Sequence, residues 1–156
     1  MRGGDKINNN VADFCIAQAV SRKEIQNIIG FCDEALEFPI LQRKEADLLI
    51  DKLYTLSCFL YAYNKKILGY IAFYANDRET HNAFVILLAV REEEQNRKIG
   101  TRLLNESIEI TKTKNMETIS LEVQKNNDNA IRFYRLKGFN EVVCETDKSI
   151  FLRKKL

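Results

Sequence analysis

The 156-residue chain has no tryptophan, one proline, one histidine and four cysteines. Its histidine, His81, lies between Thr80 and Asn82, and we expect it at the surface of a hairpin turn. Scattered cysteines without a CxxC pair argue against a disulfide framework and against a zinc site. We therefore expect reduced, buried thiols in a cytoplasmic protein, and no metal. The cysteines are Cys15, Cys32, Cys58 and Cys144.

An excess of one charge is also missing, because 24 Lys and Arg face 22 Asp and Glu, which gives a net charge of +2. So small a charge does not favour nucleic acid or a membrane surface as a partner. No apolar run approaches the roughly 20 residues that cross a bilayer. The opening residues MRGGDKINNN lack the apolar segment of a signal peptide. We expect a disordered lead-in at 1–10 and one domain at 11–156.

The apolar patterns predict helices and strands in a mixed order. Ser21 and Glu24 form a capping box that begins a helix, and this helix ends before Pro39. Gly138 is a natural C-terminal stop for a later helix. The predicted order, βααβββαβαββ, indicates an α/β (α+β) fold with helices on both faces of a mixed sheet. The remaining predicted elements are a helix at 43–56, a hairpin turning at 64–65, an apolar central strand at 82–90, helices at 100–114 and 127–137, and strands at 12–20, 117–123, 139–145 and 148–154.

The stretch QNRKIGT, residues 95–101, stands where a helix follows the central strand. The first N–H groups of a helix have no partner within it, and the helix dipole adds partial positive charge there. Gly100 lets the backbone approach a ligand closely. A pyrophosphate suits such a terminus, although a capped surface helix with a solvated basic turn fits the loop alone equally well. The donors and cations of this segment are Gln95, Asn96, Arg97, Lys98 and Arg102.

Residues 123–139 read VQKNNDNAIRFYRLKGF and follow the pattern N-x-x-A-x-x-F/L-Y-x-x-x-G-F. Residues 95–100 follow Q/R-x-x-G-x-G/A, except that Lys98 stands in place of the first glycine. With these two motifs the chain resembles the GNAT family of acetyl-CoA-dependent N-acetyltransferases, most strongly over residues 65–145. The second motif matches at Asn127, Ala130, Phe133, Tyr134, Gly138 and Phe139.

The resemblance implies a twisted, mostly antiparallel sheet of six to seven strands with about four helices, and acetyl-CoA as co-substrate without a metal. It also implies that residues 88–90, at the end of the central strand, pair with the pantetheine arm where this strand splays from the next. A backbone N–H at Leu88 or its neighbour would polarise the thioester carbonyl. The residues implied to bind acetyl-CoA are Leu88, Ala89, Val90, Gln95, Asn96, Arg97, Lys98, Ile99, Gly100, Thr101, Asn127, Ala130 and Phe133.

Tyr134 is the candidate general acid that protonates the leaving thiolate; its alternative role is a packed aromatic. Glu122 is the candidate base, because it alternates away from Leu121 and Val123, although a solvated or ion-paired sheet residue fits it as well. Water serves instead where the amine has a low pKa. By the resemblance, the candidates for the border of the acceptor pocket are Glu34, Glu37, Phe38, Tyr70, Phe73 and Tyr74. Core packing is the alternative role for most of these aromatics.

The expected acceptor is a primary amine of a small molecule, such as an amino sugar or amino acid, or of a protein. An inactive module of the same fold that binds CoA or a protein is the alternative, and the glycine replaced by Lys98 is its main support. The near-neutral charge disfavours a DNA-binding regulator. A homodimer is compatible with the resemblance, although no stretch of the sequence specifies one.

Overall fold

The computed structural model describes residues 13–36 and 39–156. The predicted lead-in at 1–10, the first residue of the predicted strand at 12–20, and the candidates Glu37 and Phe38 lie outside the described residues. The element order is the predicted one. The strands are β1 (Cys15–Gln18), β2 (Cys58–Tyr63), β3 (Ile67–Tyr74), β4 (Asn82–Val90), β5 (Thr118–Gln124), β6 (Glu141–Glu145) and β7 (Ser149–Lys155), and the helices are α1 (Arg22–Cys32), α2 (Ala46–Leu56), α3 (Ile99–Thr113) and α4 (Asp128–Leu136).

All seven strands form one sheet in the order β1-β2-β3-β4-β5-β7-β6. Every pair is antiparallel except β4 with β5, so the predicted mixed, mostly antiparallel sheet is confirmed. The parallel pairing joins only Asn82–Val85 to Thr118–Leu121. Beyond it β4 continues to Val90 and β5 to Gln124, and the two strands separate. The sheet therefore opens in its middle, between neighbouring strands.

A β-bulge in β4 decides which side chains face this opening. Ala72 pairs with Leu87 and Phe73 with Val85, which leaves Ile86 as an extra residue. Because of this insertion, Val85 and Leu88 both pack on the α3 face of the sheet although they are three residues apart. The bulge thus turns the end of β4 so that Leu88 points towards α3.

Each face of the sheet carries its own core. Helix α3 packs Leu103, Leu104 and Ile108 on one face, and this core extends to Phe139 near the end of α4. Helices α1 and α2 pack Ile29 and Leu53 on the opposite face. Leu56, the last residue of the helix predicted at 43–56, also ends α2 and is 52% exposed.

The capping box of α1 is present with one change. The Ser21 hydroxyl accepts a hydrogen bond from the Glu24 N–H at 3.1 Å. The Glu24 carboxylate accepts from the Val20 N–H at 2.8 Å, one residue before the cap. Side chains of the protein therefore accept hydrogen bonds from one N–H of the first turn of α1 and from one N–H just before it.

The prediction of buried thiols holds for Cys32 and is wrong for two others. Cys15 and Cys144 are exposed, because β1 and β6 are the two edge strands of the sheet. His81 is half-buried in the turn before β4, with its Nδ1 atom 3.1 Å from the Asn115 carbonyl oxygen. In the part of the chain that the structure describes, no helix has the length and apolarity needed to cross a bilayer.

Candidate active site

Helix α3 begins without a side-chain cap. Its N-cap residue is Lys98, whose side chain makes no capping hydrogen bond and whose backbone is left-handed, with φ 62° and ψ 17°. The first helical hydrogen bond runs from the Arg102 N–H to the Lys98 carbonyl at 3.0 Å. The N–H groups of Ile99, Gly100 and Thr101 therefore have no partner within the helix, and they point out of its positive end.

A cavity of about 510 Å³ opens in front of this terminus. Its walls come from the end of β4, the loop after it, the first turn of α3 and the inner side of α4. Ligand sites in proteins commonly measure about 300–1,000 Å³. The predicted loop and the predicted second motif thus meet in one place, although they are some 30 residues apart in the sequence. The lining residues are Leu88, Val90, Glu94, Gln95, Asn96, Lys98, Ile99, Gly100, Thr101, Asn129, Ala130, Phe133 and Tyr134.

The end of β4 supplies this cavity with a backbone edge that pairs with no strand on that side, although the Val90 carbonyl accepts a long hydrogen bond of 3.5 Å from the Gln95 side chain. The Arg91 N–H donates to the Leu68 carbonyl of β3, so the backbone groups of Arg91 face β3. Backbone groups alternate along a strand, and those of Ala89 therefore face β3 as well, whereas those of Leu88 and Val90 face the opening. Leu88 is accordingly in place to offer an N–H beside the splay. The Ala89 side chain is buried on the α1–α2 face and does not line the cavity.

Gly100 forms part of the cavity wall between β4 and α4. A Cβ atom built there would lie 3.6 Å from Val90 Cγ2 and 3.8 Å from Phe133 Cζ, which are ordinary contacts. The backbone thus tolerates a side chain at this position, and that side chain would project among two lining residues. The missing side chain of Gly100 keeps the space in front of the helix terminus open.

Of the three cations predicted to neutralise a bound anion, only Lys98 lines the cavity. Arg97 does not line the cavity, and it pairs with Glu94, which does, and with Asp13. Arg102 lies over the Phe14 ring, with its Cζ atom 4.4 Å from the ring centroid. Arg97 and Arg102 are therefore engaged with the chain near its N-terminal end.

Tyr134 lies in the cavity wall on α4. Its ring packs against Phe133 and Phe139, with centroid distances of 5.1 and 5.7 Å. Burial raises the pKa of its phenol to about 12, so the hydroxyl keeps its proton at neutral pH. Among the described residues the hydroxyl has no hydrogen-bond partner, which leaves it available to a ligand.

Asn127 caps α4 by accepting the Ala130 N–H at 3.1 Å, as predicted for a cap, but it does not line the cavity. Sequence reasoning missed Asn129, two residues further on, which does line it. It also missed Glu94, another lining residue. A periodicity argument on α4 could have found Asn129, since it precedes Ala130 and lies one turn before Phe133.

Glu122 is exposed and lies outside the cavity lining. Leu121 and Val123 are buried on the α3 face, and alternation places Glu122 on the opposite face of β5, beside Phe151 of β7. The structure therefore separates Glu122 from the α3 terminus and Tyr134 by the thickness of the sheet. A role as base requires an acceptor that approaches from the α1–α2 face.

Two of the four described residues that were predicted to border an acceptor pocket are core residues. Tyr70 and Phe73 are fully buried, and Tyr70 stacks on Phe59 with a centroid distance of 5.1 Å. The Tyr70 hydroxyl is buried without a hydrogen-bond partner among the described residues, and its burial raises its pKa. Tyr74 is half-buried and Glu34 is exposed.

Comparisons with known proteins agree with this geometry. The sequence model of the acetyltransferase (GNAT) family matches residues 22–139. The paia N-acetyltransferase of Thermoplasma acidophilum, solved in complex with coenzyme A, has a similar structure, with a TM-score of 0.70 and 20% identity over 92% of this chain and 99% of that one. Among curated proteins none matches the sequence.

Two further solved structures have the same fold. The ribosomal-protein-S18-alanine N-acetyltransferase of Escherichia coli gives a TM-score of 0.73 and 18% identity over 91% of this chain and 93% of that one. A GNAT family acetyltransferase of Elizabethkingia anophelis, solved with acetyl-CoA bound, gives a TM-score of 0.65 and 19% identity over 93% of this chain and 99% of that one. At these identities the likeness concerns the fold, whereas the family model concerns the sequence.

Proposed function

We propose that this chain, which belongs to the acetyltransferase (GNAT) family, transfers the acetyl group of acetyl-CoA to a primary amine of a small molecule or of a protein. The observation that carries the proposal is the uncapped N-terminus of α3, which opens into a cavity that Tyr134 also lines. The first feature suits a pyrophosphate and the second suits proton donation to a thiolate.

The residues present fit two parts of acetyl-CoA, its pyrophosphate and its pantetheine arm. The N–H groups of Ile99, Gly100 and Thr101 and the charge of Lys98 would hold the pyrophosphate. The backbone groups of Leu88 and Val90, which pair with no strand on this side, would pair with the amides of the pantetheine arm, which resemble a strand. The separation of β4 from β5 provides the gap through which the arm passes. A metal has no part in this scheme.

The transfer proceeds in a ternary complex without an acetylated enzyme. The amine nitrogen bonds to the acetyl carbon and loses a proton to water, the carbon–sulfur bond breaks, and the sulfur takes a proton from Tyr134. Water then returns a proton to the Tyr134 phenolate. Alignment of the two reactants contributes roughly 7–11 kcal/mol to such a reaction. The N–H of Leu88 would donate to the carbonyl oxygen as it gains charge.

The acceptor is proposed to be an amine of low pKa. Among the described residues that line the cavity, the one carboxylate is Glu94, and it is engaged by Lys66 and Arg97. Freeing a lysine amine at pH 7 costs about 4–5 kcal/mol, and freeing an α-amine costs about 1 kcal/mol. An α-amine needs only water as base. The E. coli neighbour is named for an alanine of a ribosomal protein, which is consistent with a protein N-terminus as one such acceptor.

A catalytically inactive module that binds CoA is the second candidate, and one observation favours it. Lys98 occupies a left-handed conformation with φ 62°, which costs a side-chain-bearing residue about 1 kcal/mol or more. The family pattern has a glycine at this position. Weaker cofactor binding would follow, and the intact Tyr134 argues for the enzyme.

The test is a thermal-shift titration with acetyl-CoA, followed by a thiol-release assay with peptide α-amines, lysine side chains, amino sugars and free amino acids. A ligand at a hundred times its Kd raises the stability of the native state by about 2.7 kcal/mol. A shift together with thiol release supports the enzyme and identifies the amine. A shift without release on any amine supports the inactive module, and the absence of a shift contradicts both.

A further inference from the structure

Glu94 is an unusual neighbour for an anion. It ends the short helical turn Glu92–Glu94 after β4, is 6% exposed and lines the cavity in front of α3. A carboxylate at this place repels a pyrophosphate by Coulomb's law. Its presence is therefore best explained by what it holds.

Two cations from different parts of the chain meet at this carboxylate. Its Oε1 atom lies 2.8 Å from Nζ of Lys66, which belongs to the turn between β2 and β3. Its Oε2 atom accepts a hydrogen bond from the Arg97 guanidinium, which also pairs with Asp13. Lys66, and secondarily Arg97, hold the pKa of Glu94 below its usual value, so the carboxylate is charged at neutral pH. Charge-assisted hydrogen bonds are stronger than neutral ones, so a buried carboxylate with two charged partners joins the segments that carry them.

The loop that these ion pairs anchor contains two strained residues. Asn96 and Lys98 have φ values of 64° and 62°, in the left-handed region that favours glycine. Such conformations persist only where the surroundings hold them. Arg97 lies between the two, and its side chain is fixed by Glu94. The ion pair thus acts on the segment whose bend brings the first N–H groups of α3 to the cavity.

We propose that Glu94 is a positioning residue that holds the 95–98 loop in the shape required for binding the pyrophosphate of acetyl-CoA. The identity of the ligand, acetyl-CoA, rests on the proposed function. The clamp, by which we mean the ion pairs of Glu94 with Lys66 and Arg97, rests on the geometry alone. Glu94 acts through Arg97 and the loop backbone, without touching the reacting atoms. Preorganisation of this kind lowers the entropic cost that binding would otherwise include.

Charge and position predict opposite results for Glu94→Gln, which makes the test sharp. Removing a negative charge beside the cavity strengthens the binding of an anion if Coulomb attraction alone matters. Loss of the clamp weakens binding, and we expect the Kd of acetyl-CoA to rise by about tenfold. Glu94→Asp keeps the charge but shortens the side chain. The clamp therefore predicts weaker binding of acetyl-CoA in this variant, whereas electrostatics alone predicts an unchanged Kd. Because Asp preserves the charge, this variant also serves if Glu94→Gln fails to fold.

Glu93→Gln is the matched control. Glu93 lies one residue earlier, is half exposed and does not line the cavity. It pairs with Arg91 at 2.8 Å and, at the longer distance of 3.7 Å, with Lys66, but not with Arg97, through which Glu94 acts on the loop. It undergoes the same change of charge, and we expect its Kd to stay within about twofold of the wild type. Calorimetry gives Kd, and steady-state kinetics should show KM for acetyl-CoA raised in Glu94→Gln with kcat at saturation unchanged.

Hydrogen exchange of the Gln95 and Arg102 amides, without any ligand, tests the clamp independently, because these N–H groups donate to the Glu92 and Lys98 carbonyls at 3.3 and 3.0 Å and so report on the two ends of the loop. Faster exchange there in both Glu94 variants, with the wild-type rate in Glu93→Gln, supports the proposal. An unchanged rate, or acetyl-CoA binding in Glu94→Gln as tight as in Glu93→Gln, overturns it. If the wild-type protein does not bind acetyl-CoA, the proposed function fails, and the exchange rates still decide whether Glu94 holds the loop.

Discussion

Helices α1 and α3 begin on opposite faces of one sheet and treat their first N–H groups differently. In α1, Ser21 accepts one of these hydrogens and Glu24 reaches back to the preceding segment. In α3, Lys98 caps nothing and a cavity lies in front of the terminus. At a capped terminus the first N–H groups bond to a side chain and stabilise the fold, whereas at an uncapped terminus they remain available to a ligand.

Helix α4 adds a third arrangement. It is capped by Asn127, yet it borders the same cavity as α3. Its contribution to the site therefore comes from its side chains, above all the phenol of Tyr134. Helix α3 thus contributes backbone donors for binding, and α4 contributes a side-chain acid for the chemistry.

Tyr134→Phe should separate these two contributions most strongly. We expect kcat to fall by about a hundredfold, at the lower end of what a positioned general acid contributes, with the Kd of acetyl-CoA unchanged. Since the Tyr134 pKa is about 12, the wild-type rate should show no loss of the acid between pH 8 and pH 10. Thiol-release kinetics and calorimetry on the same samples give both quantities. Equal turnover in the variant would reduce Tyr134 to a packing residue.

Gly100→Val tests the uncapped terminus directly. The added side chain projects between Val90 and Phe133 into the cavity, so the Kd of acetyl-CoA should rise by about tenfold while the fold is retained. Lys23→Val is the control, because Lys23 holds the same second helical position in α1 and is exposed. Calorimetry should find wild-type affinity in the control. An unchanged Kd in Gly100→Val would remove α3 from the binding site.

Ser21→Ala makes the opposite change, at the capped terminus. Losing the cap should lower the free energy of unfolding by about 1 kcal/mol. For a chain of this size that corresponds to a Tm lower by about 2–4 °C. The Kd of acetyl-CoA should not change, because α1 lies on the other face of the sheet. A loss of affinity in this variant would mean that the two termini are coupled and that the distinction between them fails.

Local patterns were sufficient for the fold and for the outline of the site. Apolar periodicity and turn residues predicted the strands and α-helices in order, since most of them bury the side chains that their own period brings together. The edge strand β6, whose five residues are all exposed, is an exception. The loop at 95–101 and Tyr134 were found because their motifs are continuous in the sequence.

The partners of individual side chains could not be predicted in this way. Arg97 and Arg102 were expected to face an anion, but their contacts, Asp13 and Phe14, lie 84 and 88 residues away in the sequence. The same holds for Glu94, which meets Lys66 across the fold. A tertiary ion pair leaves no local pattern, and neither does the bulge at Ile86 that turns Leu88 towards the cavity.

Lys98 gives the finest test of the difference between the two termini, because it is the cap residue that does not cap. Comparing Lys98→Gly with Lys98→Ala removes the lysine charge in both variants and leaves only the backbone conformation different. A left-handed residue with a Cβ costs about 1–2 kcal/mol, and glycine loses part of that advantage through the entropy of its unfolded chain. We therefore expect Lys98→Gly to be the more stable of the two by about 0.5 kcal/mol in chemical denaturation. Equal stabilities would mean that the loop is not strained in solution, and that the replaced glycine of the family pattern has no conformational cost here.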